Sequence, residues 1–446
     1  MPVGRRLSLL LLVLAIVGAP AVALRALCVG RACDAGATAR APVPFCGLPA
    51  ELRREIAAGS REGRSPDVMA TTSGLEVVST EMPGGRRIPW PGISGSAGPD
   101  TRVPVAFFGP GIPRSEMPPG VTLDAIAPTL EDIVGLRREH PEVRTGDAIP
   151  GVGRPSGSRT PLIVVVAWKG LGTPDLERAP DSWPFLRSAM RKGSGSVEAL
   201  TGSLPLDPAA TLTTIGSGAL PSSHGITGTL VREDDGEVSE AWSTPEAGSV
   251  IATFADDLDR VSNERARIAA VVTGPEDRGI IGSGWYLDTP HDDTVIEARA
   301  DGRGQDARAE AIVARLGLGA DGITDMLGVV IGGPVERADA DTAEIVAAIG
   351  RLVPDAVFVV AGTGSTRSDA TVDASELTAR IEASIGADVS QAIGAGGVFL
   401  DRDVMIERSI TADRVADAMR GARAATGGRL FSDAYPSFAV AFSRYC

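Results

Sequence analysis

A chain of 446 residues with 43% apolar and 22% charged side chains can bury a large core, so disorder is excluded as the default and one big α/β domain fits. Its formal charge of −14 comes from acids scattered along the sequence, with no dense Lys/Arg tract. That excludes a nucleic-acid groove and leaves a solvated acidic surface.

Arg5 and Arg6 precede an apolar run from Leu7 to Val17, and Ala21-Val22-Ala23 then supplies a small-x-small cleavage site. This is the tripartite form of a secretory signal over residues 1–23, so a secreted, extracytoplasmic location is expected. An uncleaved membrane tether is the competing reading, since apolar character continues to Leu24, although Gly18 and Pro20 interrupt it. No lipoprotein-type acceptor sequence precedes Cys28. Cys28, Cys33, Cys46 and Cys446 form an even set, for which an oxidising compartment predicts pairing and allows three connectivities. Cys28 and Cys33 lie in a short Gly-containing loop that could close on itself, and free buried thiols are the alternative.

Residues 24–45 are Ala/Arg/Pro-rich and read as a loose leader. A short helix is predicted over Leu48–Ala58, a strand over Val103–Phe108 closed by Gly109-Pro110-Gly111, and a helical pattern over Leu123–Leu136. Residues 151–160 form a polar Gly/Pro/Ser linker. Strands and helices then alternate. The strand Leu162–Trp168 breaks into a Lys-Gly-Leu-Gly turn, and a helix capped by Ser182 runs through Arg191. A helix capped by Ser249 places Ile251, Phe254 and Leu258 on one face. Strands follow at Ile268–Val272, Leu327–Ile331, Val357–Val360 and Val398–Leu400, with helices carrying Ile345, Ile349 and Leu352, and then Val415 and Met419. Near-continuous apolar strands alternating with helices predict a three-layer α/β/α fold around a mostly parallel sheet.

The strand Leu162–Trp168, the loop Ser203–Pro208 with the helix start after it, and the Pro-x-x-His-Gly turn at Pro221–Gly225 together resemble the opening of the alkaline phosphatase superfamily, in its type I phosphodiesterase and nucleotide pyrophosphatase branch. Three earlier stretches resemble elements that normally close that fold: GRSPD at Gly63–Asp67, TRVPVAFFGPGI at Thr101–Ile112 and VTLDAIAPTLEDIVGL at Val121–Leu136. The resemblance therefore implies a circular permutation of one domain, 46–446. In it, 46–150 are equivalent to the family's C-terminal part and 161–446 to its N-terminal part. It also implies that the ends near Cys46 and Cys446 lie side by side and are joined by a disulfide, leaving Cys28 to pair with Cys33.

The family's chemistry needs two divalent metals, usually zinc, held by converging Asp and His side chains. Where the resemblance places the first metal-binding Asp, this chain has Lys169, and Pro208 falls where the Thr nucleophile begins the helix. Gly362-Thr363-Gly364 replaces the Asp-His-Gly ligand turn, and Arg102 replaces the ligand His before Val-Pro. The chain has three histidines, His140, His224 and His291, and His224 matches a turn residue that is not a ligand. No cofactor is expected, with zinc as the alternative. A dication beside an ammonium about 4 Å away is repelled by roughly 8 kcal/mol at an effective dielectric of ~20. Lys169 and Arg102 therefore read either as cations standing in for metals around an anion, or as solvated loop residues left after catalysis was lost. The second is favoured.

Other motifs have bland readings. Gly362–Ser365 reads as a strand-end turn rather than a phosphate cradle. His291-Asp292-Asp293 with Asp301 and Asp306 matches no calcium loop. Glu233–Gly236 reads as a hairpin turn, and Ser222 or Ser223 cannot form a triad with the adjacent His224. The expected function is a catalytically inactive binding or scaffold protein at the cell envelope, whose partner is an anionic small molecule or an envelope protein. The alternatives are an active exported phosphodiesterase or phosphatase, and metal-independent hydrolysis by Asp207 or Thr211 with Lys169.

Overall fold

The apolar run Leu162–Lys169 is buried along its whole length at the centre of an eight-stranded sheet. The structure is a computed structural model that describes residues 43–446 apart from 84, 94–99, 139, 154–158, 283–284, 287–293, 298–303, 368–371 and 443–445. The predicted signal 1–23, most of the leader, Cys28, Cys33, His291–Asp293 and Asp301 lie outside the described residues. Val43–Phe45, inside the predicted leader, already take part in packing, and Phe45 is buried edge-on against Tyr435.

The sheet order is Thr294–Glu297, Ile268–Val272, Asp325–Gly332, Leu162–Lys169, Val357–Gly362, Arg102–Phe108, Ser194–Leu200, Ser115–Glu116. One strand, Arg102–Phe108, runs against the other seven. Side chains alternate along the central strand: Ile163, Val165 and Ala167 enter one core, while Leu162, Val164, Val166 and Trp168 enter another. Helices Ile126–Val134, Pro208–Ser217 and Phe254–Ser262 cover the first face; Pro184–Lys192, Gln305–Leu316 and Val335–Leu352 cover the second. With both faces covered, polar alternation disappears from the strand, which is why it reads as a continuous apolar run. The fold class is therefore α/β with a mostly parallel sheet, and the strand Arg102–Phe108 lies in the same sheet as Leu162–Lys169 and Val357–Gly362.

Several local expectations are corrected. Ser182 does not cap Pro184–Lys192. Pro184 occupies its first turn, and the Asp339 carboxylate, from the neighbouring helix, accepts from the N–H groups of Phe185 at 2.9 Å and Leu186 at 2.8 Å. Ser182 instead donates to Glu336. Ser249 does not cap the helix Phe254–Ser262; Thr253 does, in a capping box with Asp256, and Ile251 lies before the helix. Leu352 is 46% exposed because it ends Val335–Leu352 beyond the buried stack of Ile345 and Ile349. Val152, within the predicted linker, is fully buried.

The predicted strand Val398–Leu400 does not continue the parallel sheet. It belongs to a four-stranded antiparallel sheet in the order Ser390–Gly394, Gly397–Leu400, Val68–Thr72, Phe431–Pro436. Its central strands are buried on both faces, so they lack the alternation that would have marked them as antiparallel. Helices Ala374–Ile385 and Ala412–Gly421 pack on this sheet, forming a second lobe with its own core. Buried Arg232 ties the lobes together: its guanidinium donates to Asp67 at 2.5 Å and to the Leu400 carbonyl at 2.9 Å. The Glu233–Gly236 turn joins strands Leu230–Arg232 and Val238–Glu240 as a hairpin.

Cys46 and Cys446 form a disulfide across 400 residues, with Cα atoms 5.2 Å apart. Loop-entropy arithmetic for that span gives an upper figure of about 6 kcal/mol, and native bridges commonly contribute 2–5 kcal/mol. Cys446→Ser is expected to lower urea-unfolding stability by about 2–5 kcal/mol; an unchanged midpoint would show that the bridge contributes nothing.

Candidate functional site

The central strand ends level with its neighbours, Lys169 opposite Gly332 and Trp168 opposite Gly362. Ligands in open α/β sheets sit at this carboxyl edge. Lys169 is not a solvated loop residue. The strand extends to include it, and its side chain is 1% exposed. Its ammonium donates to Thr273 Oγ1 at 2.9 Å and Glu276 Oε1 at 2.5 Å and pairs with Asp277 Oδ1. Thr273, Glu276 and Asp277 come from the Thr-Gly-Pro-Glu-Asp turn that follows strand Ile268–Val272, two strands away. Asp277 also accepts from the Thr273 N–H at 2.8 Å, which fixes the turn.

Burial pushes the Glu276 carboxyl up, but the Lys169 ammonium, by charge and hydrogen bond, outweighs it and holds Glu276 below the usual range. Burial, then the neighbouring Glu276 carboxyl, pushes Glu240 up. Lys169 thus occupies a carboxylate cage as an internal cation. Its charge is consumed there rather than presented to an anion.

Asp207 is fully buried as the cap of helix Pro208–Ser217. It accepts from the N–H groups of Ala209 at 3.0 Å and Thr229 at 2.7 Å and from Thr229 Oγ1 at 2.9 Å. Burial pushes its carboxyl up against the pull of the Thr229 bonds. Pro208 occupies the first helical position. Thr211 Oγ1 lies within hydrogen-bond reach of three carbonyls, those of Asp207 and Pro208 at 3.2 Å and that of Thr363 at 3.3 Å, to one of which its single O–H donates. Thr363 Oγ1 accepts from the Gly170 N–H at 2.8 Å. Thr211, Thr363 and the Lys169 turn therefore meet in one hydrogen-bonded junction. Among the described residues, neither Asp207 nor Thr211 bonds to the Lys169 ammonium. The N–H groups of Thr363 and Gly364 are spent on Trp168 and Leu171 carbonyls, so Gly362–Ser365 is a strand-end turn.

Arg102 stands elsewhere, in a half-exposed cluster with Asp100 at 2.5 Å, Glu177 at 3.0 Å and Glu198 at 3.4 Å. The idea that Lys169 and Arg102 share one anion pocket is corrected: each is neutralised by its own carboxylates. Among the described residues no group of three or more His, Cys, Asp or Glu side chains is arranged to hold a metal. The residues at the expected ligand positions do not fit a dinuclear zinc centre, since two are cations and the turn Gly362-Thr363-Gly364 offers neither carboxylate nor imidazole.

His224 is fully buried, with Nε2 3.1 Å from Thr214 Oγ1 and Nδ1 accepting from the Ile226 N–H. Burial lowers its pKa to about 3. This is a structural imidazole.

Beside Lys169 lies a cleft of about 720 Å³, walled by Arg86, Arg87, Arg178, Glu336 and Arg367. Sequence reasoning missed these arginines and the Glu276–Asp277 pair. An adjacent Glu-Asp directly after an apolar strand, Ile268–Val272, and the Arg86-Arg87 pair were the available signals.

No protein-family profile matches the chain, and no curated protein matches it. Among solved structures, the wild-type alkaline phosphatase PafA is similar at 14% identity and TM-score 0.44, covering 60% of this chain and 77% of its own. A quadruply substituted variant of PafA gives 15% identity and TM-score 0.45, covering 60% of this chain and 77% of its own. A phosphonoacetate hydrolase from Sinorhizobium meliloti 1021 in complex with phosphonoacetate gives 15% identity and TM-score 0.31, covering 59% of this chain and 81% of its own.

Two outcomes follow from this geometry. Lys169→Met leaves Glu276 and Asp277 buried against each other and should cost about 3–5 kcal/mol in urea unfolding. Adding Glu276→Gln and Asp277→Asn should restore most of it, whereas a mild effect of the single change would mean the cage is solvated. His224 titrates near 6.5 when unfolded and about 3 when folded, so its contribution is full above pH 6.5 and is lost as pH falls towards 3. The loss should approach ~1.4 kcal/mol per pH unit, and His224→Asn should flatten that slope.

Proposed function

We propose that this chain is a catalytically inactive, alkaline-phosphatase-like binding module that works outside the cytoplasm, with its segments in permuted order. The observation that carries this reading is the Lys169 cage. At the position where the resemblance places a metal-binding carboxylate, an ammonium is already seated among carboxylates and would repel a dication. Pro208 where the nucleophile would stand supports the same conclusion, because proline has no side-chain hydroxyl to activate.

The placement of Arg102–Phe108 beside Val357–Gly362 and the disulfide between Cys46 and Cys446 support the permuted order. The disulfide also supports an oxidising, extracytoplasmic setting. Among the described residues no helix is long and apolar enough to cross a membrane.

Elemental analysis of natively purified protein, paired with turnover of p-nitrophenyl phosphate and bis(p-nitrophenyl) phosphate with and without added zinc, tests the reading. The expected result is substoichiometric transition metal and no turnover above the buffer rate. Two tightly held metal equivalents with turnover would establish the exported phosphodiesterase or phosphatase instead.

A further inference from the structure

We propose that a groove at the edge of the main sheet binds an extended acidic segment of a partner protein through Arg114, Arg187 and Arg191. This surface lies outside the Lys169 site, and its occupancy does not depend on whether that site is catalytic.

Helix Pro184–Lys192 packs on strands Arg102–Phe108 and Ser194–Leu200, and the last strand of the sheet, Ser115–Glu116, is only two residues long. Beside the helix, over these edge strands, runs a groove of about 630 Å³. One wall is a single helix stripe, Trp183, Arg187, Met190 and Arg191, at i, i+4, i+7 and i+8 spacing. The other wall carries Arg114, and the floor includes Gly195 and Val197. A Cβ on Gly195 would stand 2.5 Å from Met190 Cγ, so the missing side chain is what lets the stripe lie against the strand. The register runs from Ser194 through Phe107 and Val359 to Val165, which puts the groove three strands away from the one that ends in Lys169.

The groove is charged against the trend of the chain. The whole sequence has 57 acids to 43 Lys and Arg, whereas the lining has three arginines and one acid, Glu116. Strand alternation puts Glu116 on the Arg114 side, so the helix wall is left unopposed. Among the described residues, Arg114 and Arg191 have neither an ion pair nor a hydrogen-bond partner. Arg187 is held in place: its guanidinium lies 4.1 Å over the Trp183 ring and donates to the Pro180 carbonyl at 2.5 Å. Asp339 feels the Arg187 charge, but its carboxylate is spent on the N–H groups of Phe185 and Leu186.

Spacing names the form of the ligand. Four residues of helix rise about 6 Å, and alternate side chains on one face of an extended peptide stand about 6.6 Å apart. Trp183, Arg187 and Arg191 therefore match a segment of the pattern apolar-x-acid-x-acid, its carboxylates on the two guanidiniums and its apolar residue against Trp183. Guanidinium forks suit carboxylates, and such charge-assisted bonds are the strong ones. A recess floored by Gly195 and Val197 admits a single chain, while a flat anionic bilayer meets only its rim.

The test uses the exported full-length chain and fluorescence anisotropy at low salt. The probes are a labelled peptide of pattern Leu-Ser-Asp-Ser-Asp, its Leu-Ser-Asn-Ser-Asn counterpart and the rearranged Leu-Ser-Ser-Asp-Asp. The alternating aspartate peptide should bind at least about tenfold more tightly than the asparagine one and more tightly than the rearranged one. Arg114→Ala with Arg191→Ala should remove that advantage, while Arg367→Ala, in the Lys169 cleft, leaves it unchanged. Both substituted arginines are exposed, so the fold should persist, which circular dichroism checks. In the wild type the peptide should also protect Arg114, Arg187 and Arg191 from phenylglyoxal. Equal binding of the asparagine peptide, an unaffected double variant, or no protection would overturn the proposal. Tighter binding of anionic vesicles or heparin through the same arginines would overturn it in favour of a membrane or polyanion site, and an Arg191-dependent dimer in sedimentation would overturn it in favour of self-association.

Discussion

Burying an ammonium costs several kcal/mol unless carboxylates close around it, and the carboxyl end of this sheet is arranged around that requirement. Lys169 is held by Glu276 and Asp277, and those two side chains are positioned by a turn that Asp277 itself pins through the Thr273 backbone N–H. The cage therefore links two strands that are not neighbours, Ile268–Val272 and Leu162–Lys169, across the intervening Asp325–Gly332. Two carboxylates against one ammonium leave an excess of negative charge, and the Glu276 carboxyl, after burial, pushes the neighbouring Glu240 carboxyl up.

With the lysine charge spent internally, the adjacent cleft takes its other cations from strand Arg86–Pro89 and from the segment after Val357–Gly362. Arg86 arrives on a short hairpin strand and Arg367 follows the strand-end turn that is locked to Gly170 through Thr363 and Thr366. The same junction holds the start of helix Pro208–Ser217 through Thr211. The buried cage, the junction and the arginines follow one another from core to solvent.

The main sheet was legible because strands buried on both faces leave unbroken apolar runs, as in Leu162–Trp168 and Leu327–Ile331. The same property concealed the second lobe: Val398–Leu400 is equally apolar, but its partners Val68–Thr72 and Ser390–Gly394 run antiparallel to it, which composition does not encode. Helix caps failed where a tertiary contact took over, as Asp339 does for Pro184–Lys192. Lys169 was legible as a break in a metal-site pattern, but not as a buried residue. Its carboxylate partner Glu276 is 107 residues away in sequence, and a lone lysine after a strand otherwise reads as solvated.

Chain order remains the feature with the widest structural consequence. The segment before the central strand is divided between the two sheets: Val68–Thr72 joins the second lobe, while Arg102–Phe108 inserts between Val357–Gly362 and Ser194–Leu200. A strand placed between elements that come later in sequence can dock only after they are available, so the first third of the chain depends on the rest for its hydrogen-bond partners. Its one reversed direction in an otherwise parallel sheet is consistent with a strand that enters from outside the βαβ succession. The Cys46–Cys446 bridge joins segments 400 residues apart in sequence. Helices Ala50–Ala58 and Ser437–Ala441 pack together beside it, and Phe45 rests on Tyr435, so the bridge tethers two termini whose own contact is one small apolar cluster. The covalent tether holds those two ends together whatever the length of chain between them.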